Sequence, residues 1–148
     1  MKAKDRYFKN RNILINYVEQ SNNSKLQQFV DTLLMLEVWN ENRPKAKLTI
    51  SIGKAEYKNG EFYRFFPNLD SRTNDPTVFV DSYKNDPLIA IWDRQYCNND
   101  TIAMFNLTDI TDLNIKECTN SETATYLFCT FHAVHINLDY MIILRITK

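Results

Sequence analysis

The feature that most constrains the fold is the C-terminal stretch 123–147. It contains two apolar segments, 126–136 and 140–146, which are separated by the polar stretch 137–139. Both segments are rich in β-branched and aromatic residues, which suit a pleated and packed surface. The Asn and Asp between them tolerate the backbone conformations of a turn. The stretch therefore predicts an antiparallel hairpin in the middle of a sheet, with 141–144 buried on both faces.

Two helices are predicted ahead of this hairpin. Apolar residues recur at helical spacing over 13–18, which predicts a helix that begins at about residue 5 or 9 and ends near residue 20. Ser24 and Gln27 then have the spacing of a capping box, in which the serine oxygen accepts a bond from the third helical amide. A second helix is expected from Ser24 to about residue 40, before Pro44 stops it.

The periodicity changes to two after the helices. Leu48, Ile50 and Ile52 alternate with polar residues, which predicts a half-buried strand, and Gly53 suggests a bulge at its end. The pair Asn59-Gly60 is a strong hairpin signal. Polar loops are expected at 67–76 and 118–123, with strands at 77–83, 88–93 and 101–105, and with 107–116 as a further strand or a strand plus a turn.

Helices followed by strands indicate an α+β fold. We predict two N-terminal helices packed on a curved, mainly antiparallel sheet of about six to seven strands. At 148 residues the chain fits one domain, 1–148, with a core of its own.

Composition excludes several classes of protein. The chain has 2 glycines and no glycine-rich phosphate-binding motif. It contains no apolar run long enough to span a membrane. Its 3 cysteines are widely spaced, which indicates reduced thiols and a cytoplasmic location rather than a disulfide framework. No cofactor and no metal are predicted.

No catalytic residue can be singled out from the sequence. His132 and His135 are three residues apart in a predicted strand, which places them on opposite faces. A metal-dependent nuclease needs clustered carboxylates with a lysine beside them on one strand face, and the spacing of Asp81 and Lys84 does not supply this arrangement.

Charge is unevenly distributed along a chain whose net charge is zero. Residues 1–60 carry a net charge of +5, residues 61–123 carry −6 and residues 124–148 carry +1. The acids of the middle segment fall mostly in or beside predicted loops, where they are expected to form a surface that attracts a basic partner. The predicted partner-binding residues are Asp70, Asp75, Asp86, Asp93, Asp100, Asp109, Asp112, Trp92 and Tyr96.

These features predict a small cytoplasmic, non-catalytic protein that inhibits a basic partner. An immunity protein that neutralises a toxin nuclease and a phage-encoded inhibitor are two such classes. The alternative is a nucleic-acid-binding or nucleic-acid-processing domain that uses the basic N-terminus, where Tyr7 and Phe8 are interleaved with five basic residues. A third hypothesis is an enzyme whose site assembles from distant residues, which an acid beside His132 or His135 in a concave pocket would favour.

Overall fold

The computed structural model describes residues 2–37, 47–93, 101–121 and 123–147, with backbone alone for residues 47, 68–71, 120 and 121. The chain divides into two compact units. Unit 1 consists of Met1–Pro44 and Thr77–Thr108, and unit 2 consists of Lys45–Pro76 and Asp109–Lys148. The single domain predicted from the sequence stays a prediction.

Two helices precede eight described strands. The helices are α1 (Ala3–Ser21) and α2 (Ser24–Leu34). The strands are β1 (Lys47–Lys58), β2 (Glu61–Thr73), β3 (Pro76–Tyr83), β4 (Asp86–Asp93), β5 (Thr101–Asn106), β6 (Ile110–Ser121), β7 (Ala124–Ala133) and β8 (Leu138–Thr147). A short 3-10 helix, Leu107–Asp109, leads into β6. The α+β class with N-terminal helices and mostly antiparallel strands is confirmed.

Unit 1 contains both helices and a three-stranded sheet in the order β3-β4-β5. The turn between β3 and β4 is formed by Lys84 and Asn85, which both have positive φ angles, of 50° and 66°. Such a pair matches the twist of an antiparallel hairpin. The outer edge of β3 is covered because the Leu36 carbonyl accepts a hydrogen bond from the Val78 amide at 2.9 Å.

The N-terminus of α2 differs from the prediction. Asn23, not Ser24, is the capping residue, and its side-chain oxygen accepts hydrogen bonds from the amides of Lys25 and Leu26 at 3.1 and 3.2 Å. Asn23 has the extended backbone that a cap requires, whereas Ser24 is already the first helical residue. The predicted cap on Ser24 was therefore wrong by one position.

Unit 2 is a five-stranded sheet in the order β2-β1-β8-β7-β6, and every described pair in it is antiparallel. The β7–β8 hairpin occupies two interior positions of this sheet, as the C-terminal stretch predicted. Met141, Ile142 and Leu144 are buried, so both faces of β8 are covered at this point. The turn at Asn59-Gly60 is also confirmed, with positive φ angles of 54° and 80°.

The prediction of loops at 67–76 and 118–123 was wrong, because most of each segment belongs to an edge strand. Strand β2 continues through 67–73, and β6 continues to Ser121. An edge strand pairs on one side alone, so it tolerates Pro67 and polar side chains that would disfavour an interior strand. The eight described strands form two sheets, of five and three strands. No helix in the described part of the chain is long and apolar enough to cross a membrane.

Candidate functional site

The five-stranded sheet has one apolar face and one face that carries mixed aromatic and polar residues. Partners in an antiparallel ladder point to the same face, and successive residues alternate. Ile52, Ile142 and Cys129 form one buried row. The neighbouring row, on the opposite face, runs through Met141 and Thr130. We call this second face the open face; on β6, β7 and β8 it carries Asn114, Lys116, Cys118, Tyr126, Phe128, Thr130, His132, Asp139, Met141, Ile143 and Arg145.

The open face contains a cleft of about 380 Å³. Its described lining residues are Tyr57, Phe62, Asn114, Lys116, Cys118, Phe128, Thr130 and Met141. They come from all five strands of the sheet. In a flat sheet β2 and β6 would lie roughly 19 Å apart, at about 4.8 Å per strand. Since both line one cleft, the sheet is curved and its open face is concave.

Gly53 permits the close approach of β2 to β1 near this cleft. A Cβ atom at this position would clash with the backbone oxygen of Phe66 and would lie 2.7 Å from the Phe65 ring. The ladder between the two strands also shifts register between Ser51 and Gly53. Such bulges increase local twist and bend a strand. Further along the hairpin, the Tyr57 and Phe62 rings meet edge to face at 6.1 Å and form one wall of the cleft.

The lining combines aromatic walls with one positive charge. Phe128 lies directly opposite Lys116 on the neighbouring strand. Lys116 is exposed and forms no ion pair within the described residues. It is the one charged side chain among the described lining residues, while Asn114 and Thr130 add neutral hydrogen-bonding groups. The arrangement suits a flat or apolar group that carries a negative charge.

Beyond the cleft, the aromatic row continues along β7. The rings of Tyr126 and Phe128 are nearly parallel, with an interplanar angle of 10° and centroids 6.0 Å apart. The guanidinium carbon of Arg145 lies 5.9 Å from the centroid of the Tyr126 ring. Tyr126 and Phe128 are both half-buried, and Arg145 is exposed.

His132 and Asp139 form a cross-strand pair next to the cleft. The Nδ1 atom of His132 lies 2.9 Å from Oδ1 of Asp139. This pair is two ladder positions beyond Thr130 and Met141, which both line the cleft, and is therefore the next pair on the same face. His135 lies past the end of β7, where its backbone amide donates to Asp109 at 2.7 Å.

Neither described cysteine is placed to act with His132. Cys118 is paired with Tyr126, six residues from His132 along β7, which corresponds to roughly 20 Å. Cys129 lies on the opposite face, and its burial raises the pKa of the thiol to about 12. A thiol with so high a pKa is a poor nucleophile at neutral pH. In the described residues, no group of three His, Cys, Asp or Glu side chains could hold a metal ion.

The two predicted acids of unit 1 that the structure describes, Asp86 and Asp93, do not share a surface within that unit. Asp86 and Asp93 begin and end β4, which separates them by roughly 23 Å. Asp86 is exposed, but Asp93 is buried. The ring of Trp92 stacks on Phe79 at 4.6 Å and is half-buried.

In unit 2, Asp75 is likewise distant from Asp109 and Asp112, which lie near each other. Asp75 follows β2 at the end of the sheet where Ile50 pairs with Thr73. Asp109 and Asp112 flank the start of β6, at the opposite edge and opposite end of the sheet. Asp70 belongs to β2, but its side chain is outside the description, and Tyr96 and Asp100 lie outside the described residues.

Two residues that the nucleic-acid alternative would use at the N-terminus are engaged inside unit 1. The Tyr7 hydroxyl donates a hydrogen bond to Oε2 of Glu37 at 2.7 Å, and the Nε of Arg11 donates to the same oxygen at 2.9 Å. Tyr7 is 1% exposed. Phe8, by contrast, is exposed. Tyr7 is therefore a buried structural residue rather than a ring available to a base.

The cleft was not predicted, although part of its signal was present in the sequence. Alternation along β7 places Tyr126, Phe128, Thr130 and His132 on one face. The missing information was the order of the strands.

Comparisons with models of protein families, with curated proteins and with solved structures find no match to this chain.

Proposed function

We propose that this protein is a non-catalytic binding protein and that the cleft of unit 2 is its binding site. The observation that carries the proposal is a concave cleft of about 380 Å³ to which all five strands contribute. Ligand sites are typically clefts of roughly 300–1,000 Å³, lined by aromatic and apolar residues with a few polar groups. The ligand should present a flat apolar group to Phe128 and Tyr57 and a negative charge to Lys116.

A small aromatic carboxylate tests this proposal. Binding of 2-naphthoate and of its neutral analogue 2-naphthamide would be measured by isothermal titration calorimetry. We expect the carboxylate to bind more tightly, by about two- to fivefold, as for an exposed charge pair. Lys116→Gln should abolish that preference, and Phe128→Ala should weaken both ligands by about twofold to tenfold because a ring contact is lost.

The matched control is Lys84→Gln, in unit 1. Lys84 is also an exposed lysine beside an aromatic ring, with its Nζ atom 5.3 Å from the centroid of Tyr83. This variant should bind both ligands as the wild type does. Failure of both ligands to bind, or equal binding by Phe128→Ala, would count against the cleft as the binding site.

An inhibitor of a basic partner, such as an immunity protein or a phage-encoded inhibitor, is a finer form of the non-catalytic binding protein, and it would bind that partner through carboxylates rather than through the cleft, whose one described charge is positive. Asp86 and Asp93 are far apart in unit 1, and Asp75 is far from Asp109 and Asp112 in unit 2, so the cleft, and not an acidic surface, supports a binding function. Among the predicted partner-binding acids that the structure describes, Asp86 and Asp112 are exposed and would steer a basic partner. If they do so, Asp86→Lys and Asp112→Lys should slow association, and added salt should slow association of the wild type.

A second candidate function is catalysis, which the contact between His132 and Asp139 favours. A carboxylate on one ring nitrogen orients an imidazole for general-base chemistry. Neither residue lines the cleft, however, and the pair also suits a structural cross-strand contact. Hydrolysis of p-nitrophenyl acetate distinguishes these roles, with His135→Ala as the exposed-histidine control. A catalytic pair predicts a much larger loss of rate in His132→Ala than in His135→Ala, whereas a structural pair predicts similar small losses.

A further inference from the structure

We infer that the open face of unit 2 binds single-stranded nucleic acid, with bases stacked on Tyr126 and Phe128 and phosphates held by Lys116 and Arg145. This inference rests on the proposed function, because Phe128 and Lys116 both line the cleft. It adds the ligand class and extends the site along β7 to residues outside the cleft.

The two rings supply adjacent stacking positions. Tyr126 and Phe128 are two residues apart on β7, and their rings are nearly parallel, with centroids 6.0 Å apart. Any base can stack on such a ring because every base has a π-face, so aromatic rows bind single strands with little sequence preference. In a duplex the bases are already stacked on one another, so they offer no free face to the rings of Tyr126 and Phe128.

The positive charges are arranged around this row in a regular way. Phe128 is paired across the ladder with Lys116 on β6, and Tyr126 is paired with Arg145 on β8. Each ring therefore has a cation beside it on the neighbouring strand, and the two cations lie on opposite sides of the row. Both are exposed, as phosphate contacts require.

The surrounding charges are compatible with a polyanion. Among the described open-face positions of β6, β7 and β8, Asp139 is the one carboxylate, and it is paired with His132 at 2.9 Å. The Tyr57 and Phe62 side chains, which are 42% and 47% exposed, stand at the far wall of the cleft. They offer a further aromatic contact to a base that enters it.

The test measures fluorescence anisotropy of a labelled oligothymidylate and of a labelled duplex of equal length. We expect the single strand to bind more tightly than the duplex. Two phosphate contacts predict a slope of about −1.4 for the logarithm of the association constant against the logarithm of salt concentration. Affinity should therefore fall about sevenfold between roughly 50 and 200 mM salt.

Substitutions then locate the site. Tyr126→Ala and Phe128→Ala should each weaken binding by about fivefold or more, since stacking on one ring is lost. Tyr126→Phe keeps the ring and should bind as the wild type does, which separates stacking from the hydroxyl. The control is Tyr83→Ala in unit 1, because Tyr83 is 63% exposed and also lies beside a cation, Lys84. It should not change binding.

Several results would overturn the inference. They are absence of single-strand binding at low salt, equal affinity for the duplex, and loss of binding in Tyr83→Ala but not in Tyr126→Ala. Preferential binding of an acidic aromatic peptide would also overturn it and would assign the face to protein recognition. Should the oligonucleotide fail while 2-naphthoate still binds at Phe128, the ligand class is wrong and the proposed function stands. Failure of both probes contradicts both.

Discussion

Replacement of Tyr7 by Phe tests the buried polar contact that joins α1 to the residues after α2. The substitution removes the hydroxyl that donates to Oε2 of Glu37 at 2.7 Å and keeps the ring, which is 1% exposed. Arg11 still donates to the same oxygen. The variant therefore loses one hydrogen bond to a carboxylate and creates no large cavity.

The expected loss follows from the charge of the acceptor. A hydrogen bond to a charged group contributes about 1.5–3 kcal/mol, roughly twice the value for a neutral pair. The Glu37 side chain is 13% exposed, so water replaces the lost donor incompletely. Near neutral pH we expect Tyr7→Phe to lower the free energy of unfolding of unit 1 by about 1.5–3 kcal/mol.

The same contact predicts a pH dependence. Burial, followed by the hydrogen bond to Glu37 and its negative charge, raises the pKa of Tyr7 above its usual value of 10.0, and Arg11 acts in the opposite direction. Above about pH 10 the unfolded chain releases this proton and the folded chain keeps it. The stability of the wild type then falls by up to about 1.36 kcal/mol per pH unit. Because Tyr7→Phe lacks the proton, its deficit relative to the wild type should shrink between pH 8 and pH 11.

Urea unfolding at pH 8 and pH 11 measures both effects. The fluorescence of Trp92, which stacks on Phe79, reports on unit 1. Tyr83→Phe is the control, since Tyr83 is 63% exposed in the same unit and its hydroxyl is accessible to water. A deficit for Tyr7→Phe below about 0.5 kcal/mol at pH 8, which is typical of surface substitutions, would refute the argument. So would a deficit that does not change with pH.

Three further predictions concern unit 2. Gly53→Ala should destabilise the sheet at the upper end of the roughly 1–3 kcal/mol cost of overpacking, or beyond it, because the clash is with a backbone oxygen. A Cβ atom at Gly60 would meet open space, but the φ of this residue is 80°, so Gly60→Ala should lower the free energy of unfolding in urea by about 1–2 kcal/mol. Equal stabilities for Gly53→Ala and the wild type would contradict the close approach of the two strands. Burial raises the pKa of Cys129 from 9.0 to about 12, so stability that is present below pH 9 is lost as pH rises toward 12. Cys129→Ala should flatten this decline, by up to about 1.36 kcal/mol per pH unit. A variant with the same pH profile as the wild type would show that folding does not change the pKa of this thiol.

Local chemistry accounts for the parts of the fold that the sequence predicted. The hairpin at Asn59-Gly60 needs two positive φ angles, which this pair adopts at low cost. The alternation of Leu48, Ile50 and Ile52 reflects one buried face, and all three are buried. The apolar run of the β7–β8 hairpin favours burial, and β8 is covered on both faces at Met141, Ile142 and Leu144. Each of these features depends on neighbours in the sequence.

Features that depend on distant pairing were missed. The polar residues of 67–73 are typical of a loop, but they pair with β1 because an edge strand leaves one side to solvent. The separation of the strands into sheets of five and three is likewise a matter of partner choice. The acidic residues show a related limit: the predicted strand 88–93 already places Asp86 and Asp93 at opposite ends, but the sequence does not show that Asp93 is buried.

The cleft depends both on the local sequence pattern and on pairing between distant strands, and Gly53 bears on both. Side-chain alternation already places Tyr126 and Phe128 on one face, but strand order is required to set Lys116 and Arg145 on either side of them. Curvature is then required to bring Tyr57 and Phe62 to the same cleft, and the close approach at Gly53 contributes to it. The chain has 2 glycines, and Gly53 lies within a strand, so a turn does not explain its presence. Its presence indicates that backbone has to pass close to backbone there, and in this protein that point lies beside the candidate site.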